Sequence, residues 1–519
     1  RSLSERIRLT LPGDAGAIAA ALVTGIRDHI SNDANEALRI SGLYHVISIS
    51  GLHMALVAGV LFAFVRGGLA LIPGLALRRP IKKYAALAAL FGVSFYLLLS
   101  GAEVATQRSF IMIAIVLGGV LIDRPALTLR TLAAAVVITL VISPEAVLNP
   151  GFQMSFAATL ALISFYERWV PLVSTPPAPG ASATGAWSVR AGKWLLLGAA
   201  TSFIAGCATA LYAAFHFHRL APYGVLANVL SMPVIAFVIM PGALLGVLLI
   251  PFGFDFIGWT VMGYGIDGMI AVAKYVSAIE GAEGRIAAFS GGAVLLGTLA
   301  LLLIAIPATW LRLAGVPFAL LAVVLMWNGP RYDVMVDAEG DVIALRADGG
   351  KLSIHTNKSN RFTVENWLAS SGLPPVLAKS LGQAFSCDPN GCVGRLADGS
   401  LIAIPKTATA LLEDCGRAML IIASRAVPAS CGSAVIDRNT LATTGAIALK
   451  KTPNGWEAYP SRAPNADRPW FGRAKVPDAN ALARLNPKQI AKEVAPLAPA
   501  PEISGETPAP DAPEDDLDD

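Results

Sequence analysis

The sequence predicts an all-α polytopic membrane bundle of about 10 transmembrane or re-entrant helices, followed by a small α+β soluble domain and a disordered acidic tail. Apolar residues make up 55% of the 519 residues and charged residues only 15%, whereas soluble proteins carry about 25% charged residues. The apolar residues concentrate between positions 43 and 328. From Glu502 onward the chain holds eight acidic residues and no basic one, a composition typical of disorder.

These shifts in composition divide the chain into four regions. Residues 1–42 are expected to form interfacial or amphipathic helices, and residues 43–328 the transmembrane bundle. Residues 329–460 are expected to form the soluble domain, and residues 461–519 the Pro- and Ala-rich acidic tail.

The N-terminal region lacks an apolar run long enough to span a bilayer. Between Asp14 and Asp28, small apolar residues alternate with a few charges, as in an interfacial helix or one that caps the bundle. Residues 32–40 predict a second short helix, with Ser31 or Asn32 as its N-cap. The chain opens with Arg1 and without a signal-peptide pattern, so we expect that further N-terminal sequence precedes it.

The apolar region contains segments that approach the length of about 20 residues needed to cross a bilayer. A short piece at residues 67–77 is broken by Pro73 and Gly74, which is typical of a re-entrant segment or half a span. Broken segments are tolerated at membrane depth only where protein or a water-filled cavity covers the backbone, which favours a polar interior. The candidate spans are residues 43–65, 84–100, 108–122, 131–143, 152–166, 194–214, 225–250, 256–276, 287–309 and 314–328.

Basic residues cluster in alternate loops. The most basic loop holds Arg78, Arg79, Lys82 and Lys83, whereas the next loop holds Glu103. Loops rich in Lys and Arg stay in the cytoplasm. Counting spans from there predicts a multi-pass membrane protein whose C-terminal domain is extracytoplasmic.

The hydrophilic part begins near Gly329 and carries short apolar runs separated by turn residues, a pattern typical of strands. A short helix is expected at residues 364–370. Strands are expected at residues 332–336, 342–346, 352–355, 401–404, 418–423, 434–436 and 446–449.

Four cysteines fall in this hydrophilic part: Cys387, Cys392, Cys415 and Cys431. Four cysteines in one small domain favour two disulfides and an oxidising compartment, and three connectivities are possible. A structural zinc site, which the spacings fit poorly, and free thiols are the alternatives.

Polar residues recur inside the apolar half. A polar group in hydrocarbon is costly unless it is partnered, so such residues usually face the bundle interior or a cavity. Two histidines eight residues apart lie about 80° apart around an ideal helix, so a shared zinc ion is not expected. The most specific segment, residues 42–54, places in one apolar run His45, Ser48, Ser50, Gly51 and His53.

Later spans open on further polar residues: Glu103, Arg108, Gly151, Gln153, Ser155, His216 and Asn228. Each has a structural and a functional interpretation. The histidines of residues 42–54 fix the bundle by interhelical hydrogen bonds or line a pore. Glu103 and Arg108 pair with each other or line a vestibule. Gln153 and Ser155 hold helices together or line the pathway, and His216 lies at the membrane interface or meets phosphates.

These segments resemble, in order, those of the ComEC family of DNA-uptake channels, and the lead-in "ALVTGIRDHIS" is also similar. The resemblance covers roughly residues 15–330 and implies a channel that carries single-stranded DNA across the bacterial inner membrane during natural transformation. The four segments are "HVISISGLHMALVAG", "SGAEVATQRSFIM", "NPGFQMSFAATLAL" and "FHFHRLAPYGVLANVLSMPV".

Many members of that family end in a metallo-β-lactamase-like domain, so the resemblance implies that residues 329–460 are a degenerate version of it. A dinuclear zinc site of that type needs a His-x-His-x-Asp-His cluster, whereas residues 329–519 contain one histidine, His355. The chain also lacks a P-loop. We therefore predict no enzymatic activity, no catalytic residue, no metal and no cofactor.

The preferred hypothesis is a passive, polar-lined conduit for single-stranded DNA. The expected partners are the DNA, the lipid bilayer, a cytoplasmic helicase-like motor and an extracytoplasmic DNA receptor. One alternative is a secondary transporter of a small solute, which would show paired repeats with broken helices. The other is a membrane scaffold whose extracytoplasmic domain recruits partners. The residues expected along the path are His45, Ser50, His53, Arg108 and Gln153.

Overall fold

Two compact units make up the described chain: a helical unit that runs to Pro330 and also includes residues 367–374, and a sheet-containing unit formed by the remaining residues from Arg331 onward. The structure, a computed structural model, describes residues 2–125, 128–173, 183–356, 360–374, 382–462 and 482–486. The division between the units lies close to the predicted boundary at residue 328.

The helical unit is built of α-helices and two very short strands. The strands β1 (Arg219–Leu220) and β2 (Gly284–Arg285) pair antiparallel. The α-helices are α1 (Leu3–Thr10), α2 (Gly13–Thr24), α3 (Asn32–Ile40), α4 (Tyr44–Ile47), α5 (Gly51–Ala70), α6 (Pro73–Arg78), α7 (Ile81–Leu99), α8 (Val104–Leu121), α9 (Leu129–Ile142), α10 (Pro150–Val173), α11 (Ala183–Phe217), α12 (Gly224–Val234), α13 (Met240–Leu249), α14 (Asp255–Ser277), α15 (Gly291–Ala305) and α16 (Gly315–Trp327).

Seven helical stretches of the described residues are long and apolar enough to cross a bilayer. They comprise α5, α7, α8, most of α11, the continuous pair α12–α13, α14, and α16 with the turn before it. Three further apolar helices, α2, α9 and α15, are shorter, and α10 has 24 residues. A mostly helical region with several apolar spans therefore agrees with the predicted bundle, and the count of about ten crossings stays a prediction.

The predicted span 43–65 is wrong as one continuous helix. The chain is extended at Ser48 and Ser50, between α4 and α5. The break is fixed by a cap: the Ser50 N–H donates to Nδ1 of His53 at 3.1 Å, and the Ser50 hydroxyl lies 3.0 Å from the same nitrogen. Such a cap satisfies the free groups at a helix start. His45 and His53 therefore belong to different helices, and the 80° angle between them does not apply.

The predicted interfacial helix is wrong for α2, which is buried on all sides. Every residue from Ala15 to Val23 is buried, because α1, α4, α7 and α14 pack around it. Its small residues allow this close approach: a Cβ at Gly16 would lie 1.9 Å from the carbonyl oxygen of Leu11. At about 18 Å long, α2 is too short to span a bilayer and lies inside the protein.

Helices α12 and α13 run on from one another through a π-helical turn at Ile235–Ile239, just after Pro233. Proline removes one helical hydrogen bond, and such turns accommodate the loss. The helix then packs closely against α14, since a Cβ at Gly258 would lie 2.1 Å from the backbone nitrogen of Gly246. Glycines at this contact let the two backbones approach.

The second unit is formed within the described residues by ten strands and three helices, the first of which belongs to the helical unit from Trp367 onward. Its strands are β3 (Val334–Val336), β4 (Val342–Arg346), β5 (Leu352–Thr356), β6 (Phe385–Cys387), β7 (Gly391–Arg395), β8 (Leu401–Pro405), β9 (Leu420–Ile422), β10 (Ala434–Ile436), β11 (Ile447–Thr452) and β12 (Gly455–Pro460), and its helices are α17 (Arg361–Ser370), α18 (Ala408–Asp414) and α19 (Arg438–Thr444).

These strands form two five-stranded sheets, ordered β12-β11-β3-β4-β5 and β10-β9-β8-β7-β6. The first sheet is antiparallel, whereas β8, β9 and β10 pair in parallel. Both sheets contribute buried apolar side chains to one shared core. The predicted strands and helix are present. The sequence analysis missed β6, β7 and β12, whose Gly, Cys and Pro residues obscure a strand pattern.

The predicted disordered tail is wrong for residues 482–486, which form a short turn packed on the sheet unit. Leu485 is buried in the shared core. Asn486 accepts from the backbone N–H of Trp456 at 2.8 Å and donates to its carbonyl oxygen at 3.0 Å. The rest of the predicted tail, residues 463–481 and 487–519, lies outside the described residues.

Candidate functional site

Side-chain contacts join the lead-in segment to the starts of α5 and α8. The guanidinium of Arg27 donates to Oε2 of Glu103 at 2.5 Å and to the hydroxyl of Ser48 at 3.4 Å. Arg27, which was not among the predicted site residues, therefore pairs with Glu103, the carboxylate that was expected to pair with Arg108. The only signal for it in the sequence is its place in the family-like lead-in.

Two further contacts join the later segments. The imidazole of His216, at the end of α11, lies 2.8 Å from Oε1 of Gln153 in the first turn of α10. A Cβ built on Gly151, also in that turn, would lie 2.6 Å from Nη2 of Arg108 in α8. The four polar segments thus meet at the end of the bundle where α5, α8 and α10 begin and α11 ends.

A charged cluster continues the same end of the bundle beyond α11. Arg219 lies 2.7 Å from a carboxylate oxygen of Glu36 and 3.6 Å from one of Glu283. Arg285 lies 2.5 Å from Glu283. These pairs balance one another in charge, so this cluster holds the loops together.

His53 is completely buried at the start of α5. Its Nδ1 caps the helix, as described above, while its Nε2 has no hydrogen-bond partner anywhere in the described chain. Gly51, two residues earlier, faces Ser109 of α8. His53 is therefore fixed in position by one nitrogen and has the other available inside the bundle.

Arg108 is the most unusual charged residue of the site, because only 6% of it is exposed. Among the described residues it forms no ion pair, and its Nε has no hydrogen-bond partner. The guanidinium packs against Gly151, where any side chain would displace it. An unpaired cation in such a setting strongly favours an anion or water beside it.

Other buried polar atoms of the bundle also lack partners among the residues described. They include Oγ1 of Thr106, Oδ1 of Asn228 and Oγ of Ser231, together with atoms of Arg27, His218, Glu283 and Arg285. Asn228 still donates to the hydroxyl of Ser202 at 2.9 Å. Thr106 and Ser231 were missed by the sequence analysis, since a lone hydroxyl in an apolar helix more often bonds its own backbone.

One predicted path residue, His45, and one further candidate, Ser155, lie outside this group. His45 is exposed, and its Nδ1 lies 2.8 Å from the carbonyl oxygen of Gly42. Ser155 is half-buried, and its carbonyl accepts from Thr159 within α10. The geometry therefore centres on Arg108 and His53, and leaves His45 to the outer edge of the segment.

The four cysteines of the sheet unit are paired as Cys387–Cys392 and Cys415–Cys431. His355 and the first pair lie close enough together for a metal ion. In this structure, however, their sulfurs are bonded to each other, which removes both thiolates that a zinc site would need.

Comparison with known proteins identifies the helical unit. A profile of the Competence protein family matches residues 22–312. The chain is 27% identical over 257 residues to ComE operon protein 3 of Bacillus subtilis (strain 168), covering 48% of this chain and 29% of that protein. It is 30% identical over 234 residues to competence protein ComA of Neisseria gonorrhoeae, covering 45% of this chain and 30% of that protein.

The chain thus spans less than a third of the length of either relative. No solved structure matches it, so a metallo-β-lactamase-like identity for residues 329–460 stays a prediction. The family match contains Arg27, His53, Arg108, Gln153 and His216. Because it covers more than half of the chain, this protein belongs to the Competence protein family.

Proposed function

We propose that this chain forms the inner-membrane conduit through which single-stranded DNA enters the cytoplasm during natural transformation. The observation that carries the proposal is Arg108, a buried guanidinium without a carboxylate partner in the described chain, at the meeting point of the family's polar segments. Membership of the Competence protein family supports the same conclusion.

A phosphodiester is the ligand that this arrangement fits best. Guanidinium groups bind phosphate oxygens through paired, charge-assisted hydrogen bonds. In a low-dielectric bundle one such contact is strong. A strand that passes Arg108 would replace the water or anion that a buried cation requires, and would be released when the next phosphate takes its place.

Other unmatched polar atoms of the bundle are candidates for further contacts with the strand. Because Nδ1 of His53 accepts from Ser50, its Nε2 can donate, and the hydroxyls of Thr106 and Ser231 can donate or accept, without losing an existing hydrogen bond to a side chain. Multiple weak sites of this kind suit conduction, because binding must be favourable enough to enter and weak enough to leave.

The loops set the proposed orientation. The basic α5–α7 loop is assigned to the cytoplasm by the positive-inside rule, and Lys83 in it pairs with Asp123 after α8 at 2.6 Å. The start of α8, with Arg108, then faces the opposite side, where DNA arrives. The same count assigns the sheet unit to the extracytoplasmic side. A helicase-like motor and a DNA receptor complete the proposed machinery.

The test is DNA uptake in a competent host whose own channel gene is replaced by the gene for this protein. Arg108→Ala should lower the DNase-protected cytoplasmic label by about 10- to 100-fold, the effect of losing one charge-assisted contact. Arg108→Lys should retain part of the uptake. Gly151→Ala should reduce uptake by displacing the guanidinium.

Arg39→Ala is the matched control. Arg39 is already paired with Glu36 at 3.6 Å and lies over the Tyr44 ring, so uptake should remain at the wild-type level. Immunoblots of membrane fractions check that every variant is present at equal amount. Wild-type uptake by Arg108→Ala at normal protein level would contradict the proposal.

A further inference from the structure

The sheet unit places its one histidine beside one of its two disulfides. His355 lies in β5, at the edge of the first sheet, and Cys387 and Cys392 are direct partners in β6 and β7, at the edge of the second. The hydroxyl of Ser353 in β5 accepts from the N–H of Ala384 at 3.0 Å, which ties the two edges together.

The imidazole faces both sulfur atoms. Nδ1 of His355 lies 4.0 Å from Sγ of Cys387, and Nε2 lies 3.8 Å from Sγ of Cys392. The two sulfurs differ in access: Cys387 is exposed, whereas Cys392 is only 2% exposed. One sulfur can therefore be reached from solvent, and the other is shielded beside a group that can donate a proton.

The second disulfide has neither property. Cys415 and Cys431 are both half-buried against an apolar cluster around Val427 and Val435. His355 is the only histidine of residues 329–519, so no imidazole is available to this pair. The domain thus contains two disulfides of different chemical setting.

We propose that Cys387–Cys392, with His355, is a thiol–disulfide exchange site that accepts two electrons from a dithiol reductant. Exposed sulfurs are the ones that thiolates attack, and the reaction is faster when the leaving thiolate is stabilised. Cys387 is the attacked sulfur, Cys392 is the leaving group and His355 is the proton donor.

The exchange balances in two steps. A thiolate of the reductant attacks Cys387 and forms a mixed disulfide; the Cys387–Cys392 bond breaks, its electron pair passes to Cys392, and the His355 imidazolium gives that sulfur a proton. The second thiol of the reductant then loses its proton to His355 and attacks its own partner sulfur in the mixed disulfide. Cys387 leaves as a thiolate and is protonated by water, while the reductant is oxidised to a disulfide.

The test follows both disulfides in the same full-length protein, purified in detergent with Cys207→Ser to remove the free thiol. Dithiothreitol is the reductant, and timed alkylation with mass spectrometry reports each pair separately. Cys387–Cys392 should be reduced at least about ten-fold faster than Cys415–Cys431, because general acid assistance and access both favour it.

His355→Gln is the decisive variant. It should slow reduction of Cys387–Cys392 by about ten-fold and remove the imidazole-dependent part of its pH–rate profile, while the Cys415–Cys431 rate stays the same. The Cys415–Cys431 rate also reports unfolding, because a misfolded variant would expose both disulfides. If His355→Gln misfolds in this way, His355→Asn replaces it. Equal rates for the two pairs in the wild type, or an unchanged Cys387–Cys392 rate in a folded His355 variant, would overturn the proposal.

Discussion

The two units of this protein differ in how completely their buried polar side chains are partnered, although the helical unit also holds a satisfied network in which buried Asp255 accepts from Arg6 and Trp259. In the sheet unit, the carboxylate of Asp437 is buried and accepts from the N–H and hydroxyl of Thr440, at 2.9 and 3.0 Å, and from Arg484 at 2.8 Å. Asp337 likewise accepts from the N–H groups of Asp341 and Val342. Among the described residues of this unit, Trp456 Nε1 is the single buried side-chain N or O atom without a partner.

The helical unit keeps several such atoms unmatched. His53, Thr106, Arg108, Asn228 and Ser231 each have a buried side-chain N or O atom that no described group bonds. Satisfied networks make a fold rigid and unique, and unmatched polar atoms oppose folding unless water or a ligand reaches them. Polar side chains in the sheet unit thus serve stability, and the unmatched atoms of the bundle support the proposal that side chains there contact a passing ligand.

The largest expected effect tests the stabilising half of this comparison. Asp437→Ala should destabilise the sheet unit by about 3–5 kcal/mol, because it leaves a partly buried Arg484 and the Thr440 donors without their acceptor. Pulse proteolysis of the full chain in detergent measures the free energy of unfolding of this unit. A loss below about 1 kcal/mol would contradict the assignment of Asp437 as a structural anchor.

A matched pair of isosteric changes compares a partnered hydroxyl in the sheet unit with an unpartnered hydroxyl in the bundle. Thr440→Val removes a hydroxyl that bonds Asp437 and should cost about 1–3 kcal/mol. Thr106→Val removes a hydroxyl with no partner in the described bundle, so its stability should be unchanged or higher by about 1 kcal/mol. The same proteolysis experiment measures the effect of Thr440→Val on the sheet unit. Thermal aggregation measures the effect of Thr106→Val on the stability of the bundle.

In DNA uptake, the same two variants should show the reverse order of effect from the one expected for stability. Thr106→Val should lower uptake and Thr440→Val should leave it unchanged wherever the protein is present at equal level. Equal costs in stability for the two changes would mean that both hydroxyls have the same role, and the comparison would fail.

The smallest expected effect concerns pH. A hydrogen bond from Lys451, helped by the backbone N–H of Ser400, lowers the pKa of Asp398 to about 2. An unfolded Asp has a pKa of about 3.9, so the pair stabilises the sheet unit above about pH 4 and loses that contribution as pH falls toward 2. Because both side chains are partly exposed, Asp398→Asn should cost only about 0.5 kcal/mol at pH 5. Urea midpoints at pH 5 and pH 2 should show the difference between variant and wild type disappearing; a constant difference would exclude the ion pair as its source.

Composition and patterning in the sequence predict the broad architecture well. Long apolar runs locate helices such as α7 and α14, and turn residues such as Glu339 and Gly340 separate β3 from β4. The candidate site follows in part, because polar residues inside apolar segments point to the bundle interior. Arg108, Gln153 and His216 were found in this way.

The remaining features depend on contacts that no local pattern records. The break before α5 is made by one side chain, His53, turning back on Ser50. The partner of Glu103 is Arg27, 76 residues earlier, and not the nearby Arg108. Residues 482–486 pack on the sheet unit because Leu485 is buried in the core that the two sheets share. Pairings across long sequence separations are set by the whole fold and not by spacing.

The enclosed position of α2 also constrains how the protein is made. This helix is synthesised well before α14, which covers one of its sides and begins only at Asp255. Until α14 is inserted, no helix covers that side of the Ala-rich α2. Helix α2 is also too short to span the bilayer by itself. The core around α2 is therefore completed only after α14 has been made, and a chain that stops before Asp255 would leave one side of α2 uncovered.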